Sequence, residues 1–297
     1  MRIAVVYGGW SPEAAISEKS AIAVAAALKR LGYDVYQLPL TRDIAVELLE
    51  LNPQLVFPIL HGKPGEDGSF QGLLEILGIP YVGENIKVSA LCMDKDFTKR
   101  LLKGAGINVP PGEVIREEKD LKGLENWSDF PAVVKPAQGG SSIGLKVVED
   151  KKHLVKSVKN LFQKGEKVLV ERFIPGREFS CGKTAGKILP PIEIVPKKGL
   201  YDFETKYTAG AASFHPVEEE PLKGLIEATT LKIVETLEIE HLCRVDYRYD
   251  PYKEKLFVLE VNTIPGMTET SLLPRMAKLD GIGFEELIEI LISSKSS

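Results

Sequence analysis

Residues 243–262 constrain the fold more than any other part of this chain. Apolar and polar side chains alternate on both sides of Asp250-Pro251, which predicts two short strands joined by a turn. One face collects Cys243, Val245, Tyr247, Phe257, Leu259 and Val261, and the other carries Arg244, Asp246, Glu260 and Asn262. A one-residue slip would bury all four polar groups, so the register is pinned. Residues two apart share a face, and cross-strand Cβ atoms lie only ~5 Å apart. Two carboxylates and a carboxamide therefore gather beside one guanidinium. Oxygen donors of this kind suit Mg²⁺, which takes one or two carboxylates plus phosphate oxygens. In isolation the same residues would read as a surface ion-pair cluster. Here the strand runs directly into Asn-Thr-Ile-Pro-Gly-Met-Thr, too structured by Gly and Pro for a casual exit, and that favours a metal site.

At 297 residues the chain is long for a single core and suggests two or three compact units. Its apolar content of 44% and charged content of 27% are those of an ordinary soluble protein. A net charge of −4 without any basic run excludes a nucleic-acid footprint. No apolar run reaches the ~18 residues of a membrane span. Met1-Arg2 leads at once into a strand-like Ile-Ala-Val-Val-Tyr, which is too short for a signal peptide. Cys92, Cys181 and Cys243 are far apart and form no Cys-x-x-Cys, which points to buried free thiols in a reducing cytoplasm.

In chain order, residues 2–7 read as a strand ending in Gly8-Gly9. A helix follows with Ile22, Ala25, Leu28 and Leu31 in register and Gly32 as its stop. Strands at 35–39, 55–60 and 80–82 alternate with helices at 43–51 and up to about Leu77, which argues for a small parallel α/β sheet. Glu13 and His61 sit on the Gly-rich turns leaving two of these strands, at the sheet end where open α/β folds bind ligands. Gly-Gly-Trp-Ser-Pro-Glu lacks the G-x-G-x-x-G spacing, so a nicotinamide enzyme is unlikely.

Residues 89–102 read as one helix carrying Met-Asp-Lys95, and 107–130 as loop. Strands at 132–135 and 145–148 flank a Gly/Ser-rich flap whose backbone N–H groups can hold phosphate oxygens. A helix at 151–163 leads to a strand ending near Glu171, Phe173 and Ile174, with Glu178 starting the next. An acid beside an apolar pair suits adenine, which needs an acceptor for its amino group; an ordinary edge strand remains the plain alternative. Residues 197–216 show no period, and a loop this long reads as a lid. Helices are expected at 221–238, 271–279 and 284–292.

These pieces, in this order, resemble the D-alanine–D-alanine ligases of the ATP-grasp superfamily. The likeness runs nearly end to end: Gly-Gly-x-Ser-x-Glu13, His61-Gly…Gly-Glu-Asp-Gly, Met-Asp-Lys95, Val-Lys135-Pro…Gly-Ser141-Ser-x-Gly, Lys206-Tyr207, Arg244-x-Asp246 and Glu260-x-Asn262-Thr-x-Pro-Gly266-Met. Each motif alone is weak; the ordered set is specific. The resemblance implies an α/β chain of three-domain ATP-grasp architecture: an N-terminal substrate domain (1–85), a central domain with the phosphate flap (86–174) and a C-terminal domain with metal site and lid (175–297). It also implies a homodimer in the cytoplasm that binds neither membrane nor nucleic acid. Its reaction would join two D-alanines through a D-alanyl phosphate, with ATP consumed, for peptidoglycan precursor synthesis.

Residue roles follow from the resemblance by position. Lys95, Lys135 and Lys206 would contact the nucleotide phosphates, and Glu171, Phe173, Ile174 and Glu178 would hold adenine and ribose. Asp246, Glu260 and Asn262 would bind two Mg²⁺ ions, with Mn²⁺ as a substitute. Glu13 would take the ammonium of the first D-alanine, His61 would line the substrate site, and Ser271 with Leu272 would hold the second carboxylate. Arg244 and the Gly266 N–H would stabilise the oxyanion of the tetrahedral intermediate. Tyr207, Ser141 and Glu13 would form a hydrogen-bonded set over the substrates. The chain departs from the family pattern at Ala14-Ala15 and Ile264, which bears on tuning near Glu13 rather than on a ligand. A D-alanine–D-lactate or other carboxylate–amine ligase is the alternative. A regulatory protein with a degenerate cleft is disfavoured, because Arg244, Asp246, Glu260 and Asn262 are all present.

Overall fold

The computed structural model describes residues 1–184, 186–197, 208 and 210–294. Lys206, Tyr207 and most of the aperiodic stretch expected to form a lid lie outside the described residues.

Strand β1 (Arg2–Tyr7) is apolar on both faces, with Ile3, Ala4, Val5 and Val6 fully buried, as a central parallel strand requires. It lies between β2 (Asp34–Pro39) and β3 (Leu55–Ile59) in a parallel sheet ordered β2-β1-β3. Helix α1 (Ala14–Arg30) packs on it through Ser17, Ser20, Ala21, Val24 and Leu28, a small-residue face at helical spacing. Ile22, expected inside, is 57% exposed, because threefold spacing drifts around a helix of 3.6 residues per turn and carries position 22 off the face set by Ala21, Val24 and Leu28. Helices α2 (Ile44–Leu51) and α3 (Ser69–Leu77) cover the other face. The strand expected at 80–82 shrinks to a single bridge between Val56 and Tyr81.

The helix expected at 89–102 is broken into α4 (Ile86–Met93) and α5 (Lys95–Gly104). Asp94 adopts an extended backbone, and its carboxylate accepts from the N–H groups of Asp96 and Phe97, so it ends one helix and caps the next. The stretch read as loop contains β4 (Gly112–Ile115) and a 3₁₀ segment at Glu118–Asn126. Strand β4 joins β5 (Ala132–Pro136), β6 (Lys146–Val148) and β7 (Val168–Arg172) in a sheet ordered β4-β7-β5-β6, covered by α6 (Lys151–Phe162).

The third sheet contains β8 (Arg177–Thr184), β9 (Lys187–Ile188), β10 (Ile192–Pro196), β11 (Ala212–Pro216), β12 (Cys243–Asp250) and β13 (Lys255–Asn262). Its order is β11-β10-β8-β12-β13, with β9 against β8. Helix α7 (Leu222–Leu237) packs on it, and Val88, Cys92 and Leu102 from the preceding helices enter the same core. Helices α8 (Leu272–Leu279) and α9 (Phe284–Ser293) return to the first sheet: Leu273, Met276, Leu287 and Leu291 share a core with Val24, Leu28 and Ile59. Cys92, Cys181 and Cys243 are buried free thiols. Among the described residues no helix is long and apolar enough to cross a membrane.

The β12–β13 hairpin pairs as the alternation requires at its open end, with Arg244 opposite Asn262 and Asp246 opposite Glu260. A bulge then shifts the register so that Tyr247 faces Val258 and Arg248 faces Phe257. The core set is therefore Cys243, Val245, Tyr247, Leu256, Val258 and Val261. Phe257 and Leu259, both expected in it, are not. The extra residue at the bulge turns Leu259 into a cleft beside Glu260.

Candidate active site

One face of the hairpin borders two adjoining clefts. Asp246 and Glu260 look into one, of about 910 Å³ including its open mouth, which is also lined by Lys95, Lys135, Glu171, Phe173, Ile174 and Glu178. Arg244 and Asn262 look into the other, of about 1620 Å³, with Glu13, His61, Ser141, Gly266, Ser271 and Leu272. A small cavity touched by Glu13, Lys95, Glu260 and Asn262 joins them. Every sequence-predicted site residue within the described part therefore lines one of two connected spaces.

In the first cleft, the loop between β5 and β6 bends over the floor. Ser141 and Ser142 have φ of 50° and 59°, a left-handed conformation uncommon for a residue with a side chain, which turns successive backbone groups toward one side. The Lys95 ammonium donates to the Gly139 carbonyl and lies 3.4 Å from Glu260. Glu171, at the end of β7, is nearly fully buried, with Lys135 at 2.8 Å from one oxygen and Lys99 bonded to the other. Burial favours the neutral carboxyl, yet the charges of Lys135 and Lys99 outweigh it and hold Glu171 below the usual carboxylate range. Farther out, Arg248 stacks 5.1 Å from the Phe173 ring, donates to the Ile174 carbonyl at 3.1 Å and reaches Glu178 at 3.2 Å.

In the second cleft, Glu13 ends the turn before α1. Its carboxylate accepts the Ser141 hydroxyl. A Cβ placed on Gly140 would lie 3.1 Å from both of its oxygens, and one on Gly62 would lie 3.2 Å from Oε2. Backbone from two different sheets is thus pressed against this one acid. Arg244 donates to both oxygens of Asp246, at 2.9 and 2.8 Å, a bidentate geometry that fixes the guanidinium plane, and Ser180 donates to Asp246 at 2.7 Å. Asn262 Oδ1 accepts the Ile264 N–H at 3.0 Å, tying the strand end to the Gly/Pro turn. Ser271 caps the turn at Thr268 and sits against Gly266.

The family model for the D-ala D-ala ligase C-terminus matches residues 101–293, and that for its N-terminus matches 44–84. The D-alanine–D-alanine ligase of Aquifex aeolicus is 48% identical over 293 residues, 99% of this chain and 100% of that one. The chain belongs to the D-alanine–D-alanine ligase family. Its fold agrees: the Bacillus anthracis D-alanine–D-alanine ligase complexed with ATP superposes with a TM-score of 0.85 at 32% identity, covering 99% of this chain and 97% of that one. A D-Ala:D-Ser ligase from Enterococcus faecalis gives 0.85 at 30%, with 99% of both chains covered.

Within this D-alanine–D-alanine ligase family member, several residues join the site that no sequence reading singled out. Lys99 lies one helical turn after Lys95, and Arg248 is the next same-face residue after Asp246, so periodicity held both signals. Asp94 accepts from Gln138 at 3.0 Å and pairs with Lys167 at 2.7 Å, which fastens the start of α5 beneath the phosphate flap. His61 is buried and its Nε2 has no hydrogen-bond partner among the described residues. Burial lowers its pKa to about 4, against a hydrogen bond to the Ile264 backbone that favours the charge, so the imidazole is neutral near pH 7.

Glu66 is the least expected of these residues. It accepts the Gly62 N–H at 2.6 Å, lines the connecting cavity, and is pushed up to about 8 by burial and by the nearby charge of Glu13. Folded protein therefore keeps a proton that unfolded chain releases above 4.5. Stability from this group is expected to fall as pH rises through the window from 4.5 to 8, at up to ~1.4 kcal/mol per unit. Glu66→Gln should flatten that part of the profile in urea titrations at successive pH values. Parallel profiles for variant and parent would show that Glu66 ionises freely.

Proposed function

We infer that this chain is an ATP-dependent ligase that joins two D-alanines, forming a D-alanyl phosphate and releasing ADP and phosphate. The observation that carries the reading is that one face of the hairpin lines both clefts. A cleft with lysines, a Gly/Ser flap and two carboxylates meets a cleft with an acid, a guanidinium and a helix start along the same strand pair, and a small cavity joins them. Chemistry that hands a phosphoryl group from a nucleotide to a carboxylate needs that adjacency.

Adenine lies against Phe173 and Ile174 with Glu171 as acceptor, Glu178 takes the ribose, and Lys95, Lys135 and Lys206 hold phosphates under the flap. Glu13 takes the first D-alanine's ammonium, while Ser271 and Leu272, beginning α8, take the second carboxylate, where a helix start favours negative charge. Neutral His61 lines this side and can accept a hydrogen bond. Arg244, held flat by Asp246, is aimed with the Gly266 N–H at the oxygen that becomes negative when the second amine attacks the acylphosphate. Ser141 donates to Glu13, and the family resemblance assigns Tyr207, which lies outside the described residues, to the same set.

Two carboxylates and one carboxamide fit Mg²⁺ in donor type: Asp246 and Glu260 are direct cross-strand neighbours and Asn262 follows on the same face. Among the described residues no group of three or more His, Cys, Asp or Glu could hold a metal without help, so the phosphates of ATP must supply the remaining ligands. Bound there, the two ions supply charge neutralisation for the transferring phosphoryl group. Arg244 and Lys95 neutralise the same carboxylates in the ligand-free protein.

The three sheets are read as the cores of three lobes, 1–85, 86–174 and 175–297, with Val88, Cys92 and Leu102 of the middle stretch docked in the last core. A cytoplasmic homodimer accompanies this reading through the family resemblance, and the three buried free thiols suit a reducing compartment. Phosphate release from ATP is expected with D-alanine and not with L-alanine, with D-lactate a weaker second substrate at best. Release stimulated by L-alanine but not by D-alanine would overturn the assignment.

A further inference from the structure

We propose that Lys99 is a positioning residue that makes the nucleotide cleft select a 6-amino purine, by keeping Glu171 a pure hydrogen-bond acceptor while the nucleotide is bound. The inference rests on the reading of Glu171 as the partner of the adenine amino group.

Glu171 is enclosed, at 3% exposure, and each of its oxygens is taken by a different lysine. The two lysines are not equivalent. Lys135 projects from β5 into the nucleotide cleft, where phosphates compete for its ammonium. Lys99 comes from α5 on the opposite side. It does not line the nucleotide cleft; it lines a second groove behind it, bounded by α5, Pro110-Pro111 and β4, whose other wall is Glu171 again. When ATP draws Lys135 toward its own charges, Lys99 is the cation that stays.

That permanence has a consequence for base choice. An ionised carboxylate only accepts hydrogen bonds, whereas a protonated one also donates. The 6-amino group of adenine is a donor and pairs with the former. A 6-oxo purine presents an acceptor at the same place, is repelled by the ionised acid, and is tolerated by the protonated one. A carboxylate this enclosed takes up a proton unless a cation remains beside it. The dependence is mutual: burial and the neighbouring Lys135 pull the Lys99 ammonium down to about 7 against the attraction of Glu171, so it is when Lys135 turns to the phosphates that Lys99 holds its charge most firmly. The remaining alternative, that Lys99 merely fastens α5 to β7, predicts changes in stability but none in the purine preferred.

The test compares ATP with inosine triphosphate, which differs at the 6-position and lacks a 2-amino group, in the complete enzyme with D-alanine. Lys99→Met is expected to lower the ATP-to-ITP ratio of kcat/KM by at least tenfold, with the change carried by KM. Lys99→Arg, which keeps the charge, should restore most of the preference. Glu171→Gln should lower the ratio as well, and the double variant K99M/E171Q should lose no more than E171Q alone, since one acts through the other. The double variant leaves neither partner unpaired and keeps the question open to measurement if Lys99→Met does not fold. An unchanged ratio in K99M, a ratio lost equally in K99R, or additive losses in the double variant would each overturn the role of Lys99. An unchanged ratio in E171Q would instead overturn the base-site reading, and the proposal with it.

Discussion

Turnover is expected to fall by roughly 10²–10³-fold in Glu260→Gln, with the melting temperature moving by no more than about 3 °C. The two expectations come from different parts of the geometry. Glu260 faces the nucleotide cleft and lies 3.4 Å from the Lys95 ammonium, and glutamine keeps both its length and an acceptor oxygen there. What it removes is one of the two carboxylates proposed to hold Mg²⁺. Asp246→Asn is a poorer test, because Asp246 also receives Arg244 through two bonds and Ser180 through a third. Removing that charge leaves a nearly buried guanidinium without its partner, and loss of one member of such a pair destabilises by about 3–5 kcal/mol. Raising Mg²⁺ should restore part of the activity of E260Q. A variant that melts far below the parent while its folded fraction turns over normally would make the hairpin cluster structural, and the metal reading would be wrong.

The hairpin also marks how far the sequence could be read. Alternation gave the register at its open end, because there each slip has a heavy penalty: Arg244, Asp246, Glu260 and Asn262 cannot be buried together. Toward the turn the same pattern failed at Leu259, since a bulge changes the period locally and leaves no mark in an apolar run. Asp94 shows a different limit. Asp before Lys-Asp-Phe is an N-cap signal, but apolar spacing on either side made one helix the simpler reading, and the break became visible only with its capping bonds. The missed β4 lies behind Pro110-Pro111 and Gly112, residues that suggest a loop until Ile115 is seen in a core.

The residues carried by ordered motifs meet, within the described part, in two connected clefts. Lys99 follows Lys95 at helical spacing, but its pairing with Glu171 spans two elements, and sequence spacing does not report that Glu66 and Glu13 share an enclosed space.

The enclosed acids near the substrate cleft lead to the second large effect. Glu13→Gln is expected to reduce kcat/KM for D-alanine by about 100-fold while leaving ATP affinity near that of the parent. Glutamine keeps the length of the side chain and can still accept the Ser141 hydroxyl, so the contact between α1 and the phosphate flap survives in shape. What it lacks is the charge that an ammonium requires. The close approach of Gly62 and Gly140 leaves no room for a neighbouring carboxylate to swing in as a substitute. Stability should move the other way. The charge of Glu13 is one of the two main causes that push Glu66 up to about 8, so neutralising it lets Glu66 ionise at lower pH and weakens the alkaline loss described above. E13Q should therefore unfold at higher urea than the parent near pH 8 and show a smaller difference near pH 5. Loss of activity together with loss of stability would instead make Glu13 a structural cap for α1. Unchanged kcat/KM for D-alanine would remove it from the substrate site altogether.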